Sequence, residues 1–309
     1  MNIYHHLKDF HSCQKTVVTT GTFDGVHLGH RKILSQLVET AKKKNFTSVL
    51  LTFSPHPRLV LYPDNNDLKL LTTDEEKIEL LKQSGVENLI IHPFTREFAK
   101  TSSLDFIKTI IAGRLNAAVL IIGYDHRFGK GREGSFEHLK EYAPVYGFEV
   151  VEIPPQDVDS VNISSTKIRK ALSEGDISTA NKYLGYAYFI SGKVIKGSQI
   201  GTQIGFPTAN IFVENPYKLI PKNGVYCVNV EINGRQKRGM LNIGTTPTVS
   251  DSKHQKIEVH IFDFNEDIYN QKIKVSFIAR IRNEKKFESI EALLNQLNED
   301  RLFCLNQPV

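Results

Sequence analysis

The chain contains few cysteines and no long apolar run. It has no tryptophan, two methionines and three cysteines in 309 residues. The cysteines, Cys13, Cys227 and Cys304, lie far apart with no CxxC pair, so we expect a reducing compartment rather than a disulfide framework. The longest apolar run, Ala117 to Ile122, is far shorter than the roughly 20 residues that span a bilayer, and the N-terminus has no apolar core of signal-peptide type. These absences predict a cytoplasmic protein with no membrane partner.

Charge and composition leave several function classes open. The 39 Lys and Arg residues outnumber the 34 Asp and Glu residues, which gives a net charge of +5, and the basic residues are scattered along the chain. Small anionic substrates account for this balance as well as nucleic acid does, so charge alone does not decide between them. With 40% apolar residues and no low-complexity segment, a chain of this length can form two domains, each with its own core.

The most informative stretch, GTFDGVHLGH, follows the β-branched run Thr16 to Thr20. It has glycines at Gly21, Gly25 and Gly29, and it leads into the apolar periodicity of a helix over residues 31 to 44. A strand, a glycine-rich turn and a helix aim backbone N–H groups and the positive end of the helix dipole at one place, which suits a phosphate. His27 and His30 add side-chain donors there. The stretch therefore predicts a nucleoside triphosphate site.

The first half of the chain alternates between strands and amphipathic helices. Strands are predicted over residues 48–53, 88–92, 117–123 and 148–153, and helices over residues 73–84 and 104–115. The first of these helices begins with a capping box formed by Thr73 and Glu76. The alternation predicts a doubly wound parallel sheet that binds ligands at the carboxyl ends of its strands.

Two further stretches lie where such a sheet would bind a ligand. GYDHRFGKGREG, which starts at Gly123, is either a mobile surface loop or a ligand-binding loop, and its spacing is not that of a P-loop. NISSTKIR, residues 162 to 169, places hydroxyl groups before a helix that runs to Gly175. It is either a simple N-cap or a second phosphate clamp that includes Arg169.

Taken together, the three motifs resemble a known family. The motifs are GTFDGVHLGH, GYDHRFGKGREG and ISSTKIR, and the resemblance that they carry covers about residues 15 to 172. They are similar to the nucleotidylyltransferase superfamily and, in their full form, to the FMN adenylyltransferase module of bacterial bifunctional riboflavin kinase/FAD synthetases. The resemblance implies that an FMN phosphate oxygen attacks the α-phosphate of ATP and that pyrophosphate leaves. His27 and His30 would be catalytic donors to the phosphate oxygens, and Mg²⁺ would bridge the phosphates.

The resemblance also implies which residues contact ATP or FMN. They are Gly21, Phe23, Asp24, Gly25, Gly29, Gly123, Asp125, Phe128, Ser164, Thr166 and Arg169. Within this set, Ser164, Thr166 and Arg169 would hold the β- and γ-phosphates of ATP.

The second half of the chain reads as antiparallel β-structure. Short alternating runs cover residues 189–195, 224–232, 238–243, 257–264 and 272–281, and Asn233-Gly234 is a strong hairpin signal. They predict a small barrel that is closed by a helix over residues 289–298. The predicted fold is thus an α/β nucleotidylyltransferase domain over residues 1–185, followed over residues 186–309 by a riboflavin kinase β-barrel domain with a C-terminal helix.

Two features of this half carry chemistry. Glycines at Gly197, Gly201 and Gly205 precede Phe-Pro-Thr-Ala-Asn, and they mark either bends in a barrel or a loop that wraps a polyphosphate. In the alternating segment Ile257 to Ile261, Glu258 shares a face with His260, and it is either solvated or a general base.

GFPTAN, GVY, NIGTTPT, EVHIFDF and RNEKKF together are similar to the riboflavin kinase module of the same bifunctional proteins and cover residues 188–299. The resemblance implies that Thr208 and Asn210 bind Mg²⁺ and the nucleotide. It implies that Glu258 accepts the proton of the ribityl 5′-hydroxyl as that oxygen attacks the γ-phosphate of ATP. The chain departs from the family where Thr202-Gln203-Ile204 replaces the usual Arg-x-Leu, and where Lys196 stands in place of a frequent histidine.

We therefore expect a bifunctional enzyme that converts riboflavin to FMN, and FMN to FAD, with ATP and Mg²⁺. One alternative is an adenylyltransferase with another acceptor, such as nicotinamide mononucleotide or pantetheine phosphate, or a tRNA synthetase. Another is an adenylyltransferase whose barrel is a flavin-responsive regulatory or nucleic-acid-binding module. The barrel lacks an interleaved basic and aromatic strip, so no nucleic acid is expected, and self-association stays possible.

Overall fold

The computed structural model describes residues 1–64, 67–124, 126–155, 157–158, 161–197, 201, 204–245 and 255–308. The chain forms two compact units, Met1–Ser165 and Thr166–Val309. Among the described residues, no helix is both long and apolar enough to cross a membrane.

A six-stranded parallel sheet forms the centre of the first unit. Its strands are β1 (Asn2–Tyr4), β2 (Thr16–Thr20), β3 (Thr47–Ser54), β4 (Asn88–Pro93), β5 (Ala117–Gly123) and β6 (Glu149–Ile153). Their order is β1-β4-β3-β2-β5-β6, and every pair is parallel. The chain builds outward from β2 in one direction through β3 and β4, and in the other through β5 and β6. The predicted doubly wound sheet is confirmed, and its switch point lies between β2 and β5.

Helices cover this sheet. They are α1 (Leu28–Lys44), α2 (Pro57–Leu61), α3 (Asp74–Lys82), α4 (Ser103–Asp105), which continues as a π-helical segment (Phe106–Arg114), and α5 (Phe136–Tyr146). The capping box at the start of α3 is confirmed, because the side chains of Thr73 and Glu76 each accept from the other's backbone N–H. Helix α5 was not predicted; Pro144 lies inside it and weakens its helical signal, although Leu139 and Ala143 are buried.

The central strands of the sheet are covered on both faces. Val17 and Val18 are fully buried in β2, as are Leu50 and Leu51 in β3. Since neighbouring side chains of a strand point to opposite faces, apolar layers must lie on both sides of the sheet. Because both faces of these strands are buried, their sequences are continuous apolar runs rather than alternating ones.

Two helices follow a short hairpin, formed by β7 (Asp157–Val158) and β8 (Val161–Asn162). They are α6 (Ser165–Glu174) and α7 (Ile177–Leu184). The side chain of Asn181 in α7 donates to the carbonyl of Phe277 at 2.9 Å and accepts from the N–H of Tyr188 at 2.7 Å. Helix α7 is therefore attached to the second unit. The predicted domain boundary between residues 185 and 186 stays a prediction.

The second unit contains a closed antiparallel barrel, as predicted. Its strands are β9 (Phe189–Ile195), β10 (Ala209–Phe212), β11 (Gly224–Ile232), β12 (Arg235–Thr245), β13 (Gln255–Ile261) and β14 (Lys272–Arg282), and their order is β10-β13-β12-β11-β14-β9. Pairing of β9 with β10 closes the barrel. The β11–β12 hairpin turns at Asn233 and Gly234, whose φ angles of 50° and 76° are those that the sequence signal requires.

The C-terminal helix, α8 (Ile290–Leu305), is longer than predicted. The sequence indicated an end at Asn298, where polar residues interrupt the apolar stripe. Asp300 is nevertheless buried and binds Arg282 of β14, and Cys304 is buried beside Cys227 of β11. These distant partners hold the last turns of α8 against the barrel.

Candidate active sites

The loop after β2 is tightly folded, at the switch point of the sheet. Its φ angles are 48° at Phe23, 82° at Gly25 and 37° at Val26. Phe23 is buried, and a Cβ at Gly21 would lie 3.1 Å from its ring. The glycines and left-handed residues thus bring the backbone round sharply between the strand and helix α1.

Asp24 fastens this loop to a neighbouring segment. Its carboxylate is buried and accepts the backbone N–H of Leu71 at 2.9 Å and that of Thr72 at 3.1 Å. The N–H of Gly25 donates in turn to the hydroxyl of Thr72 at 3.2 Å. These bonds fix the shape of the loop. Contact of Asp24 with a nucleotide or a flavin stays a prediction.

His27 and His30 lie together at the start of α1. His27 is the N-cap, and its Nδ1 accepts the backbone N–H of His30 at 3.3 Å. The two imidazole rings stack with centroids 3.7 Å apart and planes 15° apart. A Cβ at Gly29 would lie 3.2 Å from the His27 ring, so a glycine suits the position between the two histidines. In neutral His27 the accepting Nδ1 leaves the proton on Nε2, which can then donate to a phosphate.

Burial controls the charge of His30. It lowers the pKa of His30 well below the ordinary 6.5, and the neighbouring His27 and Lys77 lower that pKa further. His30 is therefore neutral at neutral pH. Its Nδ1 atom is buried and accepts or donates no hydrogen bond within the described part of the chain.

The loop after β5 is built around Phe128. The backbones of Phe128 and Gly134 bond to each other, and a Cβ at Gly134 would lie 2.7 Å from the Phe128 ring. Gly123 ends β5, and its carbonyl accepts the N–H of His126. Asp125 lies outside the described residues. The described part of this loop is thus folded around an aromatic ring.

His126 in this loop was not predicted to be a site residue. Its ring stacks on Phe128 at 5.9 Å, and burial lowers the pKa of His126 to about 4, with Arg132 as a further cause. Its Nε2 is buried without a hydrogen bond among the described residues. The one available signal was its position at the carboxyl end of a parallel strand.

The third motif is divided between the two units. In the first unit, Ser164 precedes α6, and the Ser165 hydroxyl donates to the carbonyl of Asp24 at 3.0 Å. This bond brings the motif to the loop after β2. In the second unit, Thr166 and Arg169 lie in the first turns of α6. Their contact with a phosphate stays a prediction.

A cavity of about 360 Å³ lies on the barrel in the second unit. Glu258, His260 and Thr208 line it, so the predicted shared face of Glu258 and His260 is confirmed. Leu293 and Leu297 of α8 cover it from the helix side. The remaining lining residues are Gly201, Ile204, Phe206, Val225, Met240, Leu241, Asn242, Lys256, Arg282, Glu284, Lys285 and Phe287.

Asn210 and Glu258 are direct cross-strand partners in the β10–β13 pair. Asn210 is buried, and a Cβ at Gly197 would overlap its amide. A Cβ at Gly201 would overlap the carbonyl of Phe206. Gly205 has a φ of 81°, a left-handed conformation that favours glycine. At each of the three predicted positions, therefore, a side chain would either clash or strain the backbone. Residues 198–200 and 202–203 lie outside the described part of the chain, and these include Thr202 and Gln203 of the first departure from the family pattern.

Six polar residues of the cavity were not predicted to belong to the site, namely Asn242, Lys256, His260, Arg282, Glu284 and Lys285. Lys256 Nζ lies 2.9 Å from Glu258 Oε1, and the Asn242 amide donates to Glu284 at 3.3 Å. Asn242 and Glu284 stand in the motifs NIGTTPT and RNEKKF, the second of which reads as an ordinary charged strand end. Alternation along β13 places Lys256 on the face of Glu258, which was the available signal.

The donor set suits Mg²⁺ held together with a nucleotide rather than a preformed metal cage. Among the described residues, no group of three or more His, Cys, Asp or Glu side chains could hold a metal ion. Thr208 and Asn210 offer oxygen donors, which Mg²⁺ prefers, and a nucleotide would supply phosphate oxygens to complete its coordination.

Comparison with known proteins matches each half of the chain to a protein family. A family model for FAD synthetase matches residues 9–167, and one for riboflavin kinase matches residues 184–306. A bifunctional riboflavin kinase/FMN adenylyltransferase of Buchnera aphidicola subsp. Schizaphis graminum is 41% identical over 96% of this chain and 94% of its own. That of Bacillus subtilis is 40% identical over 93% and 90%. The chain belongs to this family.

As a bifunctional riboflavin kinase/FMN adenylyltransferase family member, the chain is a transferase with its FAD synthetase module first and its riboflavin kinase module second. The crystal structure of a macrolide-efflux protein from Streptococcus pneumoniae is similar to it, with a TM-score of 0.91, 34% identity and 99% of each chain covered. The motifs quoted from the two halves lie within the segments that the two family models match, except that ISSTKIR extends two residues past residue 167, so Arg169 lies outside both segments.

Proposed function

We propose that the first module transfers the adenylyl group of ATP to FMN. An oxygen of the FMN phosphate attacks the α-phosphorus of ATP, the bond to the bridging oxygen breaks, and pyrophosphate leaves. His27 and His30 donate hydrogen bonds to the phosphate oxygens as negative charge builds on them. The stacked pair at the start of α1 carries this proposal, because it combines ring N–H donors with a helix N-terminus.

Other predicted residues position the two substrates of this module. Ser164, Thr166 and Arg169 hold the β- and γ-phosphates, with Arg169 as the cation. The loop from Gly123 through Asp125 to Phe128 contacts nucleotide and flavin. The remaining contacts come from the loop after β2, namely Gly21, Phe23, Asp24, Gly25 and Gly29. Mg²⁺ would neutralise charge on the polyphosphate when it is bound.

We propose that the second module phosphorylates riboflavin. Glu258 accepts the proton of the ribityl 5′-hydroxyl while that oxygen attacks the γ-phosphorus of ATP and ADP leaves. Thr208 and Asn210 hold Mg²⁺ and the nucleotide, with Gly197, Gly201 and Gly205 in the loop that leads to them. Support comes from the cavity that Thr208 and Glu258 share, and from the pairing of Asn210 with Glu258.

Product analysis tests both reactions. The chain is incubated with riboflavin, ATP and Mg²⁺, and the flavins are separated. FMN and then FAD are expected, and chelation of Mg²⁺ is expected to stop their formation. If FMN added directly is converted to FAD while riboflavin stays unchanged, the kinase proposal fails and the regulatory alternative for the barrel gains support. If neither product forms, both proposals fail. A cytoplasmic location, the absence of a nucleic-acid partner and self-association stay predictions.

A further inference from the structure

His260 forms a hydrogen bond of fixed direction at the edge of the cavity. Its Nδ1 lies 2.7 Å from the carbonyl oxygen of Pro207. Because a carbonyl can only accept, Nδ1 must carry the proton, and this sets the tautomer of the neutral ring. The ring also contacts Phe206 and Phe262, with centroids 5.1 and 5.7 Å away. The side chain is thus oriented by one polar contact and two aromatic ones.

This hydrogen bond lies next to the end of the pairing between β10 and β13. Strand β10 begins at Ala209, and its pairs with β13 are Ala209↔Val259 and Asn210↔Glu258. Pro207 has no N–H and cannot donate to a strand ladder. Its carbonyl can still accept, and the side chain of His260 donates to it, so this bond ties the residue before Thr208 to the strand that carries Glu258.

We propose that His260 is a positioning residue of the kinase reaction: through Pro207 it holds the Thr208 hydroxyl, and the Mg²⁺-nucleotide bound there, at a fixed place relative to Glu258. The inference rests on the proposed roles of Thr208 and Glu258. Those residues and His260 line one cavity, and Thr208 is exposed in it. Without a bond to Pro207, this segment would be held by the pairing of Ala209 with Val259 on one side and by the bond from the Phe206 N–H to the Gly201 carbonyl on the other.

Burial supports this role. Burial is the largest influence, and it lowers the pKa of His260. The hydrogen bond to Pro207 raises this pKa, as does the charge of Asp263, and the charge of Arg301 lowers it. The ring is therefore neutral at neutral pH and donates from Nδ1 without a charge. A neutral donor holds the segment without drawing the phosphates of the nucleotide toward itself.

Three substitutions separate the hydrogen bond from simple packing. In His260→Asn the amide nitrogen lies near the position of Nδ1 and can donate to Pro207. In His260→Gln it lies near the position of Nε2, and in His260→Phe the ring is kept without any donor. We expect KM for Mg²⁺-ATP to rise about five- to tenfold in the Gln and Phe variants, because each loses one hydrogen bond. In the Asn variant, which keeps the bond, KM should rise less than about twofold. Mg²⁺-ADP binding, measured by calorimetry without turnover, should weaken in the same order.

A double-mutant cycle tests whether His260 acts through Thr208. In a Thr208→Val background, His260→Gln should change KM by less than about twofold, because the hydroxyl it positions is gone. Riboflavin affinity, measured by flavin fluorescence, and FAD formation from added FMN should stay at the wild-type level in all single His260 variants.

The inference is overturned if the Asn and Gln variants behave alike, if the Gln effect is undiminished in the Thr208→Val background, or if riboflavin affinity alone changes. Each of these results leaves the proposed function intact, because wild-type FMN formation is measured in parallel. Absence of FMN with the wild-type chain overturns the proposed kinase function, and this inference with it.

Discussion

The imidazoles of His27 and His30 stack with their centroids 3.7 Å apart, at the first turn of α1. Two rings at this distance repel each other when both are protonated, which is one cause of the lowered pKa of His30. His30 therefore presents a neutral N–H donor rather than a cation. Such donors stabilise charge that develops on a phosphate without holding the product as tightly as a cation would.

Replacing His30 by Ala should abolish most FAD formation and leave FMN formation unchanged. Loss of one donor to a developing oxyanion typically costs about 10²- to 10³-fold in rate. FAD formed from added FMN and ATP is measured, with FMN formed from riboflavin as the second readout. His5→Asn is the matched control, since His5 is an exposed histidine of the same unit. Unchanged FAD formation in His30→Ala would remove this residue from the transition state.

Replacing Glu258 by Gln should have the opposite effect. The amide keeps the volume of the side chain but cannot accept a proton, so FMN formation should fall by about 10²- to 10⁴-fold. FAD formation from added FMN should continue. A suitable control is Glu231→Gln, because Glu231 lies on another barrel strand and its ion pair with Lys274 is loose, at 3.9 Å. Loss of both activities in Glu258→Gln would show that the two modules do not work independently.

The lowered pKa of His92 leads us to expect that the free energy of unfolding of the first unit depends on pH. It is buried at the end of β4, its Nδ1 accepts the N–H of Leu7 at 3.4 Å, and burial together with His6 lowers the pKa of His92 to about 4. In the unfolded chain the ordinary value of about 6.5 applies. Between these values the unfolded state binds more protons, so the free energy of unfolding should fall as the pH falls, by up to about 1.4 kcal/mol per pH unit.

The measurement is urea unfolding of the first unit at about pH 7.5 and about pH 5. His92→Asn keeps an acceptor for Leu7 but does not titrate, so its stability should change less between the two conditions than that of the wild type. The exposed His5→Asn variant should keep the wild-type difference. Equal differences in all three proteins would show that His92 is not the group responsible.

Asp300 should be important for the stability of the second unit. Its carboxylate is 1% exposed and accepts from Arg282 Nε at 3.0 Å and Nη2 at 2.7 Å. Asp300→Asn leaves the arginine without its counter-charge, and breaking a buried pair of this kind costs about 3–5 kcal/mol. The exposed pair of Arg301 with Asp263 is the control: Asp263→Asn should cost less than about 1 kcal/mol. Equal losses in denaturant unfolding would contradict the prediction.

Local patterns in the sequence predicted most of the architecture. The alternation of strands and helices predicted the parallel sheet, the Thr73–Glu76 capping box marked the start of α3, and Asn233-Gly234 marked a hairpin. The shared face of Glu258 and His260 followed from the two-residue repeat of a strand. Each of these features depends on residues within a few positions of each other, where backbone geometry alone imposes the pattern.

Only the tertiary structure decided the features that depend on distant residues. The length of α8 depends on the partners of Asp300 and Cys304 in the barrel, and the pairing of Asn210 with Glu258 depends on the register of two strands far apart in the chain. The same holds for the bond from His260 to Pro207. The sequence by itself determined which residues could form strands, helices and turns, because those are set by local geometry. Closure of the barrel decided which side chains meet, because packing and hydrogen bonding across it join segments that no local pattern relates.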